Sequence, residues 1–208
     1  PNLKKALKEN QVLALSATFL RPSDRSPDAY FGINTARTLA EFKNSLQLLQ
    51  APHLSVTYAD TSGNIKRFLP GLLPKRKDSR GQFPQMGNTP VAPLAQELDA
   101  PPQPGNAYIV EANNKTVSDT HPHFNSGFWA PGYRTNRITS LLKSSSRHTP
   151  EKSWKIMTDN VSPLAMRLLP LMLKFISKKT EAGHILSSWN GAMGRDKVAP
   201  TLFMSWLR

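Results

Sequence analysis

The stretch Tyr58-Ala59-Asp60-Thr61-Ser62-Gly63-Asn64-Ile65 joins two apolar runs that are typical of β-strands, residues 54–59 and 65–69. The connection between the runs is polar, and its glycine can adopt the positive φ that a tight turn needs. Two strand-like runs joined in this way predict a β-hairpin. The chain is therefore expected to contain antiparallel β structure near its first third.

Three elements are predicted ahead of this hairpin. Residues 12–19 (VLALSATF) are rich in apolar residues and favour a strand. Ser26-Pro27-Asp28 has the form of a helix start, with an N-cap serine, a first-turn proline and an acid that suits the helix dipole. Residues 38–41 (TLAE) form a capping box that precedes an apolar stripe at spacings of three and four. We therefore expect a strand followed by two helices.

The middle of the chain has weaker patterns. Residues 70–105 hold many of the 18 prolines and no periodic apolar pattern, which predicts a long loop. Residues 107–112 (AYIVEA) favour a strand that leads to Asn113-Asn114. Asparagine tolerates the left-handed backbone conformation and bonds its own backbone, so a turn is the simplest interpretation of this pair.

The C-terminal portion is predicted to be mainly helical, with residues 133–143 as one helix and starts at positions 149, 162 and 200. Residues 162–176 are apolar on nearly all sides, which implies burial among other elements or in a membrane. The run is short for a bilayer, and charged residues and a proline interrupt it, which favours burial in protein. We expect no membrane span and find no signal peptide.

The chain carries a net charge of +13, with 27 Lys and Arg against 14 Asp and Glu. The basic residues are scattered, which is more typical of a solvated surface than of a nucleic-acid face. We therefore expect no nucleic-acid partner, although a non-catalytic basic binding module stays as the alternative function. The sequence has no cysteine, which excludes disulfides and a thiolate nucleophile. His121-Pro122-His123 offers two histidines without a nearby carboxylate or cysteine, a poor zinc site, so no metal residue is predicted.

Residues 58–65 closely resemble a hairpin of the penicillin amidase family, the acylases that hydrolyse penicillins and acyl-homoserine lactones. Further segments resemble the family in the same order along the chain: residues 28–42, 105–114, 129–138, 162–173 and 188–191. Each segment alone is weak, but their common order is hard to obtain by chance. One departure is Lys66-Arg67, where relatives often place glycine and an aromatic residue.

The resemblance implies an α+β fold that forms part of the four-layer αββα sandwich of N-terminal nucleophile hydrolases, with a helical C-terminal portion. Residues 1–115 would contribute helices, hairpin and loop to the sandwich, and residues 116–208 would be mainly helical. The chain would be an internal piece of the catalytic β-chain, truncated at both ends. In the family a serine at the β-chain N-terminus is the nucleophile and its own amino group is the base. No glycine here precedes Ser, Thr or Cys, so that serine is expected outside this chain.

The resemblance also names two candidate catalytic residues. Asn113 falls on the asparagine whose side-chain amide stabilises the oxyanion of the tetrahedral intermediate. Arg134 falls on the arginine beside the active site, where a permanent charge can orient that asparagine. An ordinary arginine in the first turn of a helix is an equally weighted interpretation of Arg134. Asn114 is expected to be a turn or supporting residue, and Arg137 a surface residue.

The implied function is hydrolysis of a linear acyl amide, either penicillin-type or an acyl-homoserine lactone, by a parent enzyme that is periplasmic or secreted. Its partners would be a small-molecule acyl amide, the missing α-chain and the rest of the β-chain of the same precursor. The chemistry needs no cofactor, and a structural calcium ion is possible in the parent. The chain alone is expected to be inactive. A degenerate family member that acts as a scaffold is a further alternative.

Overall fold

The computed structural model describes residues 10–75, 83–84, 92–95, 108–115 and 126–208, with the backbone alone for 92–95. The described residues form a mixed α+β structure, as predicted. Its elements in chain order are a 3₁₀ turn Thr18–Leu20, α1 Ser26–Thr35, α2 Leu39–Leu46, β1 Val56–Ala59, β2 Ile65–Phe68, β3 Leu72–Lys75, β4 Ala92–Ala95, α3 Tyr133–Lys143, α4 Pro150–Met157, α5 Pro163–Met172, α6 Glu181–Ser187 and α7 Val198–Leu207.

The described residues fall into two compact units. The first contains the residues before position 110 together with 115–129, and the second contains 110–114 together with 130–208. The hairpin thus belongs to the first unit. The short segment that carries Asn113 belongs to the second unit, with all the helices from α3 to α7.

In the first unit, α1 packs against α2, and α2 packs against the hairpin. The predicted capping box is confirmed in one half only: the Thr38 side chain accepts the Glu41 backbone N–H at the start of α2, whereas the Glu41 carboxylate accepts the backbone N–H of Arg37 and not that of Thr38. The Phe42 ring on α2 lies 4.9 Å from that of Tyr58 on β1 and 6.1 Å from that of Phe68 on β2. Phe68 is fully buried. Apolar and aromatic packing therefore joins α2 to the hairpin.

The predicted hairpin is confirmed. Strands β1 and β2 pair antiparallel, with Val56 opposite Phe68 and Ala59 opposite Ile65. In the connection Gly63 has φ +86°, the conformation that glycine adopts at little cost. The Asp60 carboxylate accepts hydrogen bonds at 2.8 to 3.0 Å from the Tyr58 hydroxyl, the Ser62 backbone, and both the backbone and the side chain of Asn64. The polar residues of this turn therefore have a structural role.

Three predictions for the first unit are wrong. Ser26 is the first residue of α1 and not its N-cap, and its hydroxyl oxygen accepts the backbone N–H groups of Gln50 and Ala51 instead of one from the helix. Residues 12–19 are not a strand; residues 11–17 have no regular structure and the 3₁₀ turn Thr18–Leu20 follows. Val12 and Leu15 are largely exposed, and no strand within the described ranges pairs with this apolar run. The predicted loop over residues 70–105 contains the antiparallel pair β3 and β4. Prolines at the paired positions Pro74 and Pro93 hid this pair, since proline argues against a strand in a sequence.

The predicted strand over residues 107–112 is also wrong within the part that the structure describes, because residues 108–112 form no strand. Residue 107 lies outside the described residues. The last apolar residue of this run, Ala112, still has a packing role because it is buried. The segment reaches Asn113 as an irregular connection rather than as the end of a sheet strand.

In the second unit, α3 has the predicted bounds, and α4 and α5 begin after the predicted caps Thr149 and Ser162. The core is a cluster of apolar residues from the last three helices: Ala165, Leu169, Met172, Leu186, Ala199 and Phe203. The prediction that the helix from Ser162 is long and buried on all sides is wrong. Helix α5 ends at Met172, while Leu171 and Phe175 are substantially exposed. Among the described residues no helix combines the length and apolarity that crossing a bilayer requires.

Candidate active site

Asn113 occupies an unusual backbone position at the edge of the second unit. Its φ is +59°, a left-handed conformation that residues other than glycine adopt infrequently. The preceding residue, Ala112, is buried, whereas Asn113 is exposed. The carbonyl oxygen of Asn113 accepts the backbone N–H of Ala130 at 2.8 Å. The buried alanine and this hydrogen bond fix the base of the Asn113 side chain.

Arg134 connects this segment to helix α3. It lies in the first turn of the helix, and its Nη2 atom donates to the Ala112 carbonyl at 2.8 Å and to Asn113 Oδ1 at 2.7 Å. A guanidinium has donors and no acceptor, so the Asn113 atom that faces it must be the carbonyl oxygen. The Asn113 NH₂ group therefore points away from Arg134. Among the described residues this NH₂ group has no hydrogen-bond acceptor.

Asn114 is bonded to the same two elements. Its Oδ1 atom accepts the Ala112 backbone N–H at 3.1 Å and the Thr135 hydroxyl at 2.9 Å. The backbone N–H is a donor only, which identifies the Asn114 atom as the oxygen and the Thr135 hydroxyl as the second donor. Asn114 thus has the supporting contacts that its position suggested. The contact from Thr135 was not predicted by the sequence analysis.

The charge of Arg134 is not neutralised by a carboxylate in the described part of the chain. Its partners there are two neutral oxygens, those of Ala112 and Asn113. One turn further along α3, Arg137 is paired: its Nε and Nη2 donate to the two Asp159 oxygens at 2.8 and 2.6 Å. The pair keeps the pKa of Asp159 below its usual value through the hydrogen bonds from Arg137. Arg137 was expected on the surface, but it is a half-buried structural arginine.

The structure brings together the two predicted catalytic residues, Asn113 and Arg134, which are 21 positions apart in sequence. The distance from Arg134 Nη2 to Asn113 Oδ1 is 2.7 Å. His121 and His123 lie outside the described residues. Within the described ranges no group of three or more His, Cys, Asp or Glu side chains could hold a metal ion.

Comparison with known proteins identifies the family. The penicillin amidase family matches residues 3–208. The chain is 24% identical to penicillin acylase 2 proenzyme of Pseudomonas sp. (strain SE83), over 96% of this chain and 27% of that protein. It is 25% identical to acyl-homoserine lactone acylase QuiP of Pseudomonas aeruginosa, over 70% of this chain and 18% of that protein.

The fold is also similar to that of a solved structure, a thermostable penicillin G acylase from Alcaligenes faecalis. The TM-score is 0.61 at 22% sequence identity, covering 88% of this chain and 36% of that one. The chain therefore spans about a quarter of the first curated relative and about a third of the structural neighbour. The family match over nearly all of its residues shows that this chain belongs to the penicillin amidase family of amidohydrolases.

Proposed function

We propose that this chain is part of an enzyme that hydrolyses a linear acyl amide, and that the Asn113 side chain donates to the oxyanion of the tetrahedral intermediate. The observation that carries the proposal is the 2.7 Å hydrogen bond from Arg134 to Asn113 Oδ1. This bond fixes which end of the amide is the acceptor. The NH₂ end is thereby left as a donor on the side away from the guanidinium.

The same bond makes Asn113 a stronger donor. A positive charge that binds the amide oxygen draws electron density from the NH₂ group, and hydrogen bonds in such a chain strengthen one another. Because no described carboxylate neutralises Arg134, its field also favours negative charge on the far side of the amide. An oxyanion at about 2.7 to 3.1 Å from the Asn113 side-chain nitrogen would be stabilised both by the stronger hydrogen bond and by the positive charge of Arg134.

The rest of the site belongs to the longer protein in this proposal. The chain covers 27% of its proenzyme relative, and Asn113 is exposed on the described surface. We infer that a serine at the N-terminus of the mature β-chain supplies the nucleophile and base, and that neighbouring segments close the site against water. In this proposal the complete protein is made as a self-cleaving precursor and folds as the four-layer αββα sandwich. It is periplasmic or secreted, and it binds a structural calcium ion outside the described residues.

The test compares variants of the complete enzyme that contains this chain. Asn113→Ala removes one oxyanion donor and should lower kcat by a factor on the order of 10² to 10³, with KM changed little. Arg134→Met should lower kcat in the same direction, because Asn113 then loses its charged partner. The matched control is Asn44→Ala, which changes the same residue type at an exposed position of α2 in the other unit and should leave kcat unchanged.

Two results would contradict the proposal. Retention of kcat within about twofold in Asn113→Ala would remove the oxyanion role, since a lost donor costs far more than that. Turnover of a chromogenic phenylacetyl or long-acyl amide by the purified 208-residue chain alone would show that the nucleophile is not supplied from elsewhere.

A further inference from the structure

The Asn113 side chain can face a substrate oxygen only if its backbone keeps the left-handed conformation. Asparagine tolerates a φ of +59° better than most residues other than glycine, and the contacts around it hold it in this conformation. Three contacts hold the residues on both sides: Ala130 N–H to the Asn113 carbonyl, Arg134 to the Ala112 carbonyl, and Asn114 Oδ1 to the Ala112 N–H. The hydrogen bond from the Ala112 N–H is accepted by the side chain of Asn114, which has no direct part in the proposed reaction.

Asn114 also ties the segment to α3. Its Oδ1 accepts the Thr135 hydroxyl at 2.9 Å, while the adjacent Arg134 donates to Asn113. Two consecutive residues of one helical turn therefore bind two consecutive asparagines. This arrangement fixes the register between helix and segment, because a shift that breaks one of these contacts strains the other.

We propose that Asn114 and Thr135 are positioning residues that act through Asn113, an inference that rests on the proposed oxyanion role of Asn113. They touch neither substrate nor reacting atoms. Their hydrogen bonds hold the 112–114 segment in the register in which Arg134 binds the Asn113 oxygen and the NH₂ group faces outward. Since small misplacements of a catalytic group reduce rates steeply, losing this register should lower kcat without a matching change in KM.

The test uses the complete enzyme. Asn114→Ala removes the acceptor of two hydrogen bonds and should lower kcat by about tenfold, since each net bond is worth a few-fold in an equilibrium. Thr135→Val removes only the donor hydroxyl while keeping the side-chain shape, and should lower kcat by about threefold. It also keeps the test decisive if Asn114→Ala folds poorly.

The control is Thr139→Val, the same substitution one turn further along α3, at a threonine that has no described hydrogen bond to residues 110–114. It should leave kcat unchanged. The decisive readout is the Asn113→Ala background, in which Asn114→Ala should produce no further loss in kcat. A merely structural role would instead lower kcat again there, or lower thermal stability in proportion to activity.

The outcomes separate the two proposals. If Asn113→Ala loses activity while Asn114→Ala and Thr135→Val keep full kcat, the positioning role is overturned and the oxyanion role stands. An additive loss in the double variant Asn113→Ala with Asn114→Ala likewise overturns the positioning role. If Asn113→Ala itself keeps full kcat, both proposals fail.

Discussion

The hairpin turn and the Asn113 segment are both organised by a short polar side chain that accepts hydrogen bonds, but they recruit their donors from different distances. All donors to Asp60 come from residues 58–64, within four positions of it. The side-chain oxygens of Asn113 and Asn114 are bound by Arg134 and Thr135, each 21 positions away. The first network needs only a local turn, whereas the second exists only once α3 has packed against the 112–114 segment.

The largest loss of stability is expected at the ion pair between Arg137 on α3 and Asp159, which are 22 positions apart in sequence. Asp159→Asn should destabilise the second unit by about 2 kcal/mol, because it removes a half-buried carboxylate that accepts two short bonds from Arg137. The measurement is hydrogen exchange of α3 amides in the complete protein. The control is Asp196→Asn, since Arg195 and Asp196 are almost fully exposed and 3.8 Å apart, a pair worth little. Equal effects of the two substitutions would contradict the assignment.

The Arg137–Asp159 pair also predicts a pH dependence. Hydrogen bonds from Arg137 lower the pKa of Asp159 in the folded chain below its ordinary value. The pair therefore contributes fully above the unfolded pKa, near 3.9, and its contribution is lost as pH falls through the lower folded pKa. On acidification, the protection of the α3 amides against hydrogen exchange should consequently fall more steeply in the wild-type protein than in the Asp159→Asn variant. Parallel pH profiles would show that the pair is not formed.

A smaller and more local effect is expected at the hairpin. Asp60→Ala removes the acceptor of every bond in the turn network, so the β1 and β2 amides should exchange faster while those of α3 stay unchanged. Hydrogen bonds from Asn64 lower the pKa of Asp60, so this contribution too is present above the unfolded pKa and lost in acid. Asp28→Asn, at an exposed pair with Arg25, is the control and should leave the hairpin unchanged.

The same difference in distance explains what the sequence could predict. The hairpin, the Thr38 N-cap of α2 and the bounds of α3 depend on neighbours in the chain, and all three were predicted correctly. Strands β3 and β4 are separated in sequence by residues 76–91, and no local pattern indicates that they pair. The apolar run at residues 12–19 has the composition of a strand. A strand also requires a partner strand, and the local sequence does not predict whether one is present.

The candidate site shows the same limit residue by residue. Asn113 and Arg134 could be named because the family resemblance places them, but their contact could not be read from spacing. Thr135 carries no signal in the sequence, since its role depends on α3 presenting consecutive residues to the 112–114 segment. Arg137 was assigned to the surface because its partner Asp159 lies beyond another helix, 22 positions away. Non-local pairs of this kind become visible only in the folded chain.

The smallest effect is expected at Gly63, where the comparison between local and distant determinants is sharpest. Its φ is +86°, and a Cβ built there would meet no atom within 4 Å, so a substitution adds backbone strain without a clash. Gly63→Ala should weaken the hairpin by about 1 kcal/mol, and Gly63→Asn by less, because asparagine enters the left-handed region more readily. Amide exchange of β1 and β2 measures both values. If the two variants destabilised equally, contacts rather than backbone conformation would govern the turn, and the local origin of the hairpin would be refuted.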